Sequence, residues 1–215
     1  MYQVPTIMLD FETTGLSPAA GARITEVAAL RIEDGRIVDR FVTLVNCCVE
    51  IPPFITSLTG ITQQMVDDAP CVSEAVPRLL EFIGDAPLAA HNASFDEKFL
   101  RAEGELLGLM PRHSHLLCSL KLSRRLLPGM PSYGLGKLAS RLGIRFSGQA
   151  HRAEADAEGW CDLDPPVLDP DQAHPHEQFA HDVGRVLPTL RVRRDVGRRI
   201  MHSGVRGMDG PTCPS

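Results

Sequence analysis

The sequence predicts an α/β protein in which helices pack on a mixed β-sheet. Two strand-like segments flank Glu33-Asp34-Gly35-Arg36 near the start of the chain. Asp-Gly between two β-rich runs is typical of a hairpin, so part of the sheet is antiparallel. Further along, short apolar runs alternate with segments of helical periodicity, which is typical of strands connected through helices.

Five segments rich in apolar and β-branched residues are predicted to be strands. They span residues 6–9, 24–32, 37–45, 87–91 and 116–118. The first run ends at Asp10, and the second and third are the arms of the hairpin. The second strand is therefore antiparallel to at least one of its neighbours.

Segments with apolar residues at helical spacing are predicted to be helices. They span residues 73–83, 94–106, 120–127 and 135–142, with a last helix that begins just after His151. Residues 94–97, Ser-Phe-Asp-Glu, form a capping-box sequence, which predicts that the second of these helices begins there. The side chains that this helix is expected to bury are Phe95, Phe99, Ala102 and Leu106.

The chain of 215 residues is long enough for one domain and an appendage. Its 43% hydrophobic content is sufficient for a buried core. Beyond residue 160, several prolines interrupt any helix, and the last 15 residues show no core pattern. We therefore predict a folded domain over residues 1–160 and an atypical, weakly folded Pro/Arg-rich extension over residues 161–215.

Composition argues against a membrane or secreted protein. No run of about 18 apolar residues occurs, and the first residues lack the basic and apolar regions of a secretory signal. The six cysteines form no C-x-x-C pair, so neither a zinc site nor a disulfide framework is indicated. A cytoplasmic location without a membrane partner is the resulting prediction.

Charges of opposite sign are separated along the chain, although the net charge is −5. Residues 106–153 contain no Asp or Glu. Their eight basic residues are Arg112, Lys121, Arg124, Arg125, Lys137, Arg141, Arg145 and Arg152. Such a separation is expected where a groove for phosphates lies beside an acidic, metal-binding pocket. A solvated helical surface that is merely basic is the alternative.

Two carboxylates follow the first predicted strand. Asp10 and Glu12 are two residues apart, so in a strand both side chains point to the same face. Carboxylates at close range repel each other, and hard divalent ions such as Mg²⁺ or Mn²⁺ prefer oxygen ligands of this kind. The pair is therefore a candidate metal site, although a solvated strand end can have the same sequence.

Two further acids lie near the beginnings of predicted helices. Asp96 falls in the first turn of a helix after a strand, where α/β proteins build sites, but an Asp there also stabilises the helix dipole. Asp156 lies in the helix after His151, and alanines around it would let that helix approach the sheet closely. The Asp156 carboxylate would then be within reach of Asp10.

A neutral histidine beside the site could act as a general base, because its ordinary pKa lies near working pH. Spacing does not identify which one, since His91 precedes Asp96 by the same number of residues as His151 precedes Asp156. His91 closes a strand, whereas His151 follows a loop and is expected to be more accessible. We therefore favour His151 as the base.

Three segments carry a family resemblance. They are Asp10-Phe11-Glu12-Thr13-Thr14-Gly15, His91-Asn92-Ala93-Ser94-Phe95-Asp96, and His151-Arg152-Ala153 with Asp156. In this order they resemble the three motifs of the DEDDh 3′–5′ exonucleases, a superfamily that includes the proofreading (epsilon) subunit of bacterial DNA polymerase III. The resemblance implies that residues 1–160 are an exonuclease domain with a ribonuclease H-like fold, a mixed five-stranded sheet flanked by helices.

The resemblance also implies roles for individual residues. The residues implied to hold two divalent metal ions, Mg²⁺ or Mn²⁺, are Asp10, Glu12, Asp96 and Asp156. His151 would deprotonate the attacking water. The residues implied to contact the substrate are Thr13, Thr14, Gly15, His91 and Asn92.

The predicted activity is metal-dependent hydrolysis of phosphodiester bonds at the 3′ ends of DNA, with release of nucleoside monophosphates, as in proofreading. The expected partners are a single-stranded or frayed DNA 3′ end and a DNA polymerase subunit. Two alternatives stay open. One is an exoribonuclease that trims RNA ends with the same hydrolytic centre, and the other is an inactive nucleic-acid-binding or polymerase-docking module.

Overall fold

The structure, a computed structural model, describes residues 5–34, 36–142 and 152–158. Its strands are β1 (Thr6–Thr13), β2 (Ile24–Glu33), β3 (Arg36–Leu44), β4 (Leu88–Ala90) and β5 (Leu116–Cys118). Its helices are α1 (Pro53–Thr59), α2 (Gln63–Asp67), α3 (Val72–Ile83), α4 (Ser94–Leu106), α5 (Ser119–Leu126), α6 (Leu135–Leu142) and α7 (Ala153–Glu158). His151 and the predicted extension over residues 161–215 lie outside the described residues. No helix in the described parts of the chain is both long and apolar enough to cross a membrane.

The described strands form a five-stranded sheet in the order β3-β2-β1-β4-β5. β2 is antiparallel to both β1 and β3. β4 is parallel to β1, and β5 is parallel to β4. The sheet is therefore mixed, with helices packed on it, and this confirms the predicted fold class.

β1 is longer than its apolar run. The predicted strand ends at Asp10, whereas the observed strand continues to Thr13. Pairing with β2 explains the difference, because it continues past the apolar residues and places Asp10 opposite Ala28 and Glu12 opposite Glu26. Both acids are therefore held on a hydrogen-bonded strand and not on a free loop.

Alternate side chains of β1 pack on opposite faces of the sheet. Those that pack with buried residues of α3 and α4 are Ile7, Leu9 and Phe11. Met8 lies on the other face, in a cluster with residues of α6 and α7. Because residues two apart share a face, Asp10 and Glu12 follow Met8 on the side of the sheet that α7 covers.

The N-terminus of α4 differs from the predicted capping box. The helix begins at Ser94 itself, Ala93 precedes it, and no side chain caps it. The turn at residues 91–93 leads directly into the helix, since the Phe95 N–H donates to the Asn92 carbonyl at 2.7 Å. The predicted start of this helix at Ser94 is therefore confirmed, but Ser94 lies inside the helix and does not cap it.

The buried side of α4 is also rotated from the predicted one. Phe99 is buried as predicted, but Leu106 is 62% exposed, and Leu100 and Glu103 are buried. Glu103 turns inward because its carboxylate accepts two hydrogen bonds from the Arg23 guanidinium, at 2.8 and 2.7 Å. A partner distant in sequence thus sets the orientation of this helix.

Truncating two leucines of α4 should separate the observed orientation from the predicted one. Leu100 is 0% exposed, so Leu100→Ala should lower the free energy of unfolding by about 2–5 kcal/mol. Leu106→Ala, the matched control on the exposed side, should change it by no more than about 0.5 kcal/mol. Urea unfolding followed by circular dichroism measures both, and equal losses would contradict this assignment of the buried face.

Candidate active site

The site lies where β1 extends beyond its neighbour β4. β4 pairs with β1 at Ile7 and Met8 and ends at Ala90, so the end of β1 has β2 on one side and the start of α4 on the other. Asp96, in the first turn of α4, lies close enough to Phe11 for the Phe11 backbone to lower the pKa of the Asp96 carboxyl. The early end of β4 therefore brings an acid of α4 to the central strand, at the sheet edge where α/β proteins place their sites.

Three carboxylates converge on the face covered by α7. Oxygen atoms of Asp10, Glu12 and Asp156 all lie within 4.8 Å of one another. Ala153 and Ala157, on either side of Asp156 in α7, are buried against the sheet. Because alanine is small, the helix backbone approaches β1 and β2 closely enough for the short Asp156 side chain to reach β1.

Asp96 is next to this group but not part of the 4.8 Å cluster. Its carboxylate is buried, and its charge is the strongest electrostatic influence on Asp10. The structure thus brings together three of the four acids predicted to bind metal and places the fourth beside Asp10.

Burial and mutual repulsion raise the pKa values of these acids. Burial, followed by the charges of Asp96, Glu12 and Asp156, raises the pKa of Asp10 well above its usual range. Burial, followed by the charge of Asp156, raises the pKa of Glu12 to about 8. The pKa of Asp96 is raised to about 7 by burial, which hydrogen bonds from backbone N–H groups partly oppose.

The donor set fits a hard divalent cation. All ligand atoms in the cluster are carboxylate oxygens, which Mg²⁺ and Mn²⁺ prefer. The raised pKa values show that ionising these acids together costs free energy in the absence of a cation. A bound divalent ion would remove this repulsion, so the residues present suit such an ion.

His91 is held within the fold through both ring nitrogens. Its Nε2 lies 2.9 Å from the Tyr133 carbonyl oxygen, and because a carbonyl can only accept, Nε2 is the donor. Its Nδ1 lies 3.2 Å from the Ser119 hydroxyl. Burial lowers the pKa of His91, which favours the neutral ring. His91 thus joins the end of β4 to α5 and to the segment before α6.

The residues predicted to contact substrate after β1 form a tightly bonded loop. The Thr13 hydroxyl donates to the Gly15 carbonyl at 2.7 Å, and the Thr14 hydroxyl accepts from the Arg23 N–H at 2.9 Å. Both threonines are buried. Asn92, exposed in the turn after β4, adopts a positive φ of 62°. Substrate contact by these residues stays a prediction.

Glu26 and Arg152 form an ion pair beside the cluster that the sequence analysis did not identify. The Arg152 Nη2 lies 2.6 Å from the Glu26 carboxylate. Arg152 was assigned to the predicted phosphate groove, but its guanidinium is bonded to this buried acid. The signal in the sequence was Glu26, an acid near the start of the apolar strand Ile24–Glu33, where a buried charged side chain needs a partner.

Comparisons with known proteins show the family of the chain. The sequence profile of the exonuclease (RNase T) family matches residues 7–163. The chain is 40% identical over 157 residues to a DNA polymerase III PolC-type protein of Caldanaerobacter subterraneus, an alignment that covers 73% of this chain and 11% of that protein. It is 37% identical over 152 residues to the 3′-5′ exonuclease DinG of Bacillus subtilis, covering 71% of this chain and 16% of DinG. It thus corresponds to less than a fifth of either relative.

Solved structures share the fold. Exonuclease X in complex with 5′ overhanging duplex DNA superposes with a TM-score of 0.59 and 26% identity, covering 81% of this chain and 99% of that one. A structure of exonuclease I superposes with a TM-score of 0.68 and 20% identity, covering 85% of this chain and 44% of that one.

The mixed five-stranded sheet flanked by helices is a ribonuclease H-like fold, and carboxylates of β1 and α7 meet at the end of its central strand. The fold alone does not identify a family. The sequence profile of the exonuclease family does, because its match spans most of the described residues. The chain belongs to the exonuclease family, as its three motifs predict.

The stability of the metal-free chain should fall as pH rises. The folded-state pKa values of about 8 for Glu12 and about 7 for Asp96 lie above those of unfolded Asp and Glu, near about 4. The folded chain therefore binds more protons than the unfolded chain in this window, and stability is lost as pH rises towards 8. Thermal melts in EDTA between about pH 5.5 and 8.5 should show a falling Tm.

Two controls accompany this measurement. Glu12→Gln should flatten the fall, because a neutral amide has no proton to lose and gains no negative charge as pH rises. Mn²⁺ added near pH 8.5 should raise the Tm again, since an ion that binds the folded state stabilises it. A Tm that rises with pH in EDTA would contradict the raised pKa values.

Proposed function

We propose that the chain is a metal-dependent 3′–5′ exonuclease that hydrolyses phosphodiester bonds at the 3′ ends of DNA and releases nucleoside monophosphates. The observation that carries the proposal is the cluster of Asp10, Glu12 and Asp156, whose carboxylate oxygens lie within 4.8 Å of one another. It occurs at the end of the central strand of a chain that belongs to an exonuclease family.

The residues that would hold two divalent ions, Mg²⁺ or Mn²⁺, are Asp10, Glu12, Asp96 and Asp156. Bound ions would supply positive charge where a phosphodiester gains negative charge in the transition state. The carboxylates of β1 are fixed by strand pairing and those of α4 and α7 by helix packing. The protein's contribution is thus to keep four acids at fixed positions while leaving room for water and phosphate.

His151 is proposed as the general base that takes the proton of the attacking water. In the sequence it immediately precedes Arg152 and α7, the helix that brings Asp156 to the cluster. The bonding of His91 supports this choice, because the His91 Nε2 is committed to the Tyr133 carbonyl. With Nε2 as the donor, the lone pair of the neutral His91 ring is on Nδ1, which lies 3.2 Å from the Ser119 hydroxyl.

The DNA end is proposed to lie against the loop after β1 and the turn after β4. The residues proposed to contact it are Thr13, Thr14, Gly15, His91 and Asn92. Exposed basic side chains of α5 and α6 would bind backbone phosphates without reading the sequence. They are Lys121, Arg124, Arg125, Lys137 and Arg141.

A DNA polymerase is the proposed protein partner, and the cytoplasm the proposed location. The partner is supported by relatives that are themselves DNA polymerase III PolC-type proteins. In such an assembly, an unpaired or frayed 3′ end produced during synthesis would be the substrate.

Replacing Asp10 should abolish hydrolysis without removing DNA binding. Asp10→Ala deletes the acid on which the charges of the three other carboxylates act, so Mg²⁺- or Mn²⁺-dependent release of mononucleotides from a 3′-labelled DNA strand should be lost. Asp39→Ala, which removes an exposed acid of β3, is the matched control and should retain full activity. Gel analysis of product length, with fluorescence anisotropy for binding, measures both properties.

The same assay decides between the substrate classes. DNA and RNA strands of equal sequence, each with a 3′ label, should be compared at one metal concentration. Faster degradation of RNA would overturn the DNA assignment while leaving the exonuclease centre in place. Absence of metal-dependent hydrolysis of either strand by the unaltered chain would favour the inactive binding module.

Replacing His151 should slow the reaction and change its pH dependence. His151→Ala should lower kcat by about 10²–10⁴-fold, the usual contribution of a general base. Mn²⁺ affinity should stay close to that of the unaltered chain, and the rise of kcat through the histidine pKa should disappear. His91→Ala is the comparison variant. An unchanged kcat and pH profile for His151→Ala would remove the base role from His151.

A further inference from the structure

Glu26 is a buried acid on the same sheet face as the carboxylate cluster. It is 3% exposed and lies opposite Glu12 in the pairing of β1 with β2. It does not belong to the group of acids whose oxygens lie within 4.8 Å of one another among the described residues. A buried carboxylate beside other carboxylates is costly, so its contacts indicate what it does.

Within the described residues, the hydrogen bonds of this carboxylate run to the start of α7. Arg152 bonds it through Nη2 at 2.6 Å and through Nε at 3.1 Å from each oxygen. The Ala153 backbone N–H, at the first residue of α7, donates to Oε2 at 2.9 Å. One buried side chain of β2 therefore holds both the residue before α7 and the first residue within it.

α7 is a short helix that packs mainly through small side chains in the described part of the chain. It has six residues, too few for a helix that is stable by itself. Its buried side chains among the described residues are the alanines Ala153, Ala155 and Ala157, which bury little apolar area. Charge-assisted hydrogen bonds to a rigid strand are stronger and more directional than alanine packing.

We propose that Glu26, through Arg152 and the Ala153 N–H, is a positioning residue that holds α7 so that Asp156 completes the metal-binding cluster. This inference rests on the proposed function, because it assigns Glu26 to the same metal centre. It adds a residue that contacts neither metal nor substrate and acts through another side chain.

An alternative explanation is that Glu26 and Arg152 affect metal binding only through their charges. The two explanations make different predictions for Arg152. Removing the negative charge of Glu26 should weaken cation binding under either explanation. Removing the positive charge of Arg152 should strengthen cation binding if only charge matters, because a cation is repelled by a nearby guanidinium. If the pair positions α7, removing Arg152 should instead weaken cation binding.

The experiment is titration of the metal-free, DNA-free full chain with Mn²⁺ by isothermal calorimetry. Glu26→Gln and Arg152→Gln should each weaken Mn²⁺ binding by about tenfold or more, as found for groups that orient metal ligands. The double variant should lose no more than the larger single loss, since both residues act through one pair. Glu154→Gln is the matched control, because it breaks an exposed pair of the same helix with Arg40, at 3.1 Å. It should bind Mn²⁺ within about twofold of the unaltered chain.

Each other outcome has a defined meaning. Tighter Mn²⁺ binding by Arg152→Gln would overturn positioning in favour of charge alone. Unchanged Mn²⁺ binding with a raised KM for DNA would overturn it in favour of a phosphate contact by Arg152. Thermal melts check that each variant is folded. Arg152→Gln should disturb folding less than Glu26→Gln, because the Arg152 side chain is 35% exposed and that of Glu26 is buried. No Mn²⁺ binding by the unaltered chain would overturn the proposed function itself, and this inference with it.

Discussion

The mutual repulsion of carboxylates at the end of β1 is the constraint on which the surrounding structure depends. Asp10, Glu12 and Asp156 lie within 4.8 Å of one another, and burial with like charge raises the pKa values of Asp10 and Glu12. Left to themselves, such groups would move apart into water. The sheet and the packed helices hold them together, and the resulting concentration of negative charge is what suits the site to divalent cations.

Two ion pairs, each between a buried glutamate and a partly exposed arginine, connect the helices of the site to one end of β2. Arg23, directly before β2, bonds Glu103 of α4, the helix that carries Asp96. Glu26, within β2, bonds Arg152 before α7, the helix that carries Asp156. Buried ion pairs add little net stability, but they tolerate few alternative geometries. Here they fix the positions of α4 and α7, which pack on opposite faces of the sheet, relative to the same strand, β2.

Local patterns predicted most of the fold, and contacts between distant residues account for what they missed. Strand and helix periodicity is a property of neighbouring residues, so the hairpin, α6 and the start of α7 could be predicted. The orientation of α4 depends on Glu103 meeting Arg23, 80 residues away in sequence. Glu26 and Arg152 are separated by 126 residues, and no local pattern links them. The motif acids were identifiable because the family resemblance supplied this long-range information.

The short β4 shows how strand length builds the site. A longer β4 would pair with β1 up to Thr13 and would occupy the place that the start of α4 takes. Because β4 ends at Ala90, the start of α4 lies next to the end of β1, and its Asp96 carboxylate lies beside Asp10. The same early end places His91 in the turn, where its ring bonds the Tyr133 carbonyl. The termination of one strand thus brings Asp96 beside the cluster and holds His91 within the fold. Sequence spacing could not distinguish His91 from His151, because each lies five residues before a motif aspartate.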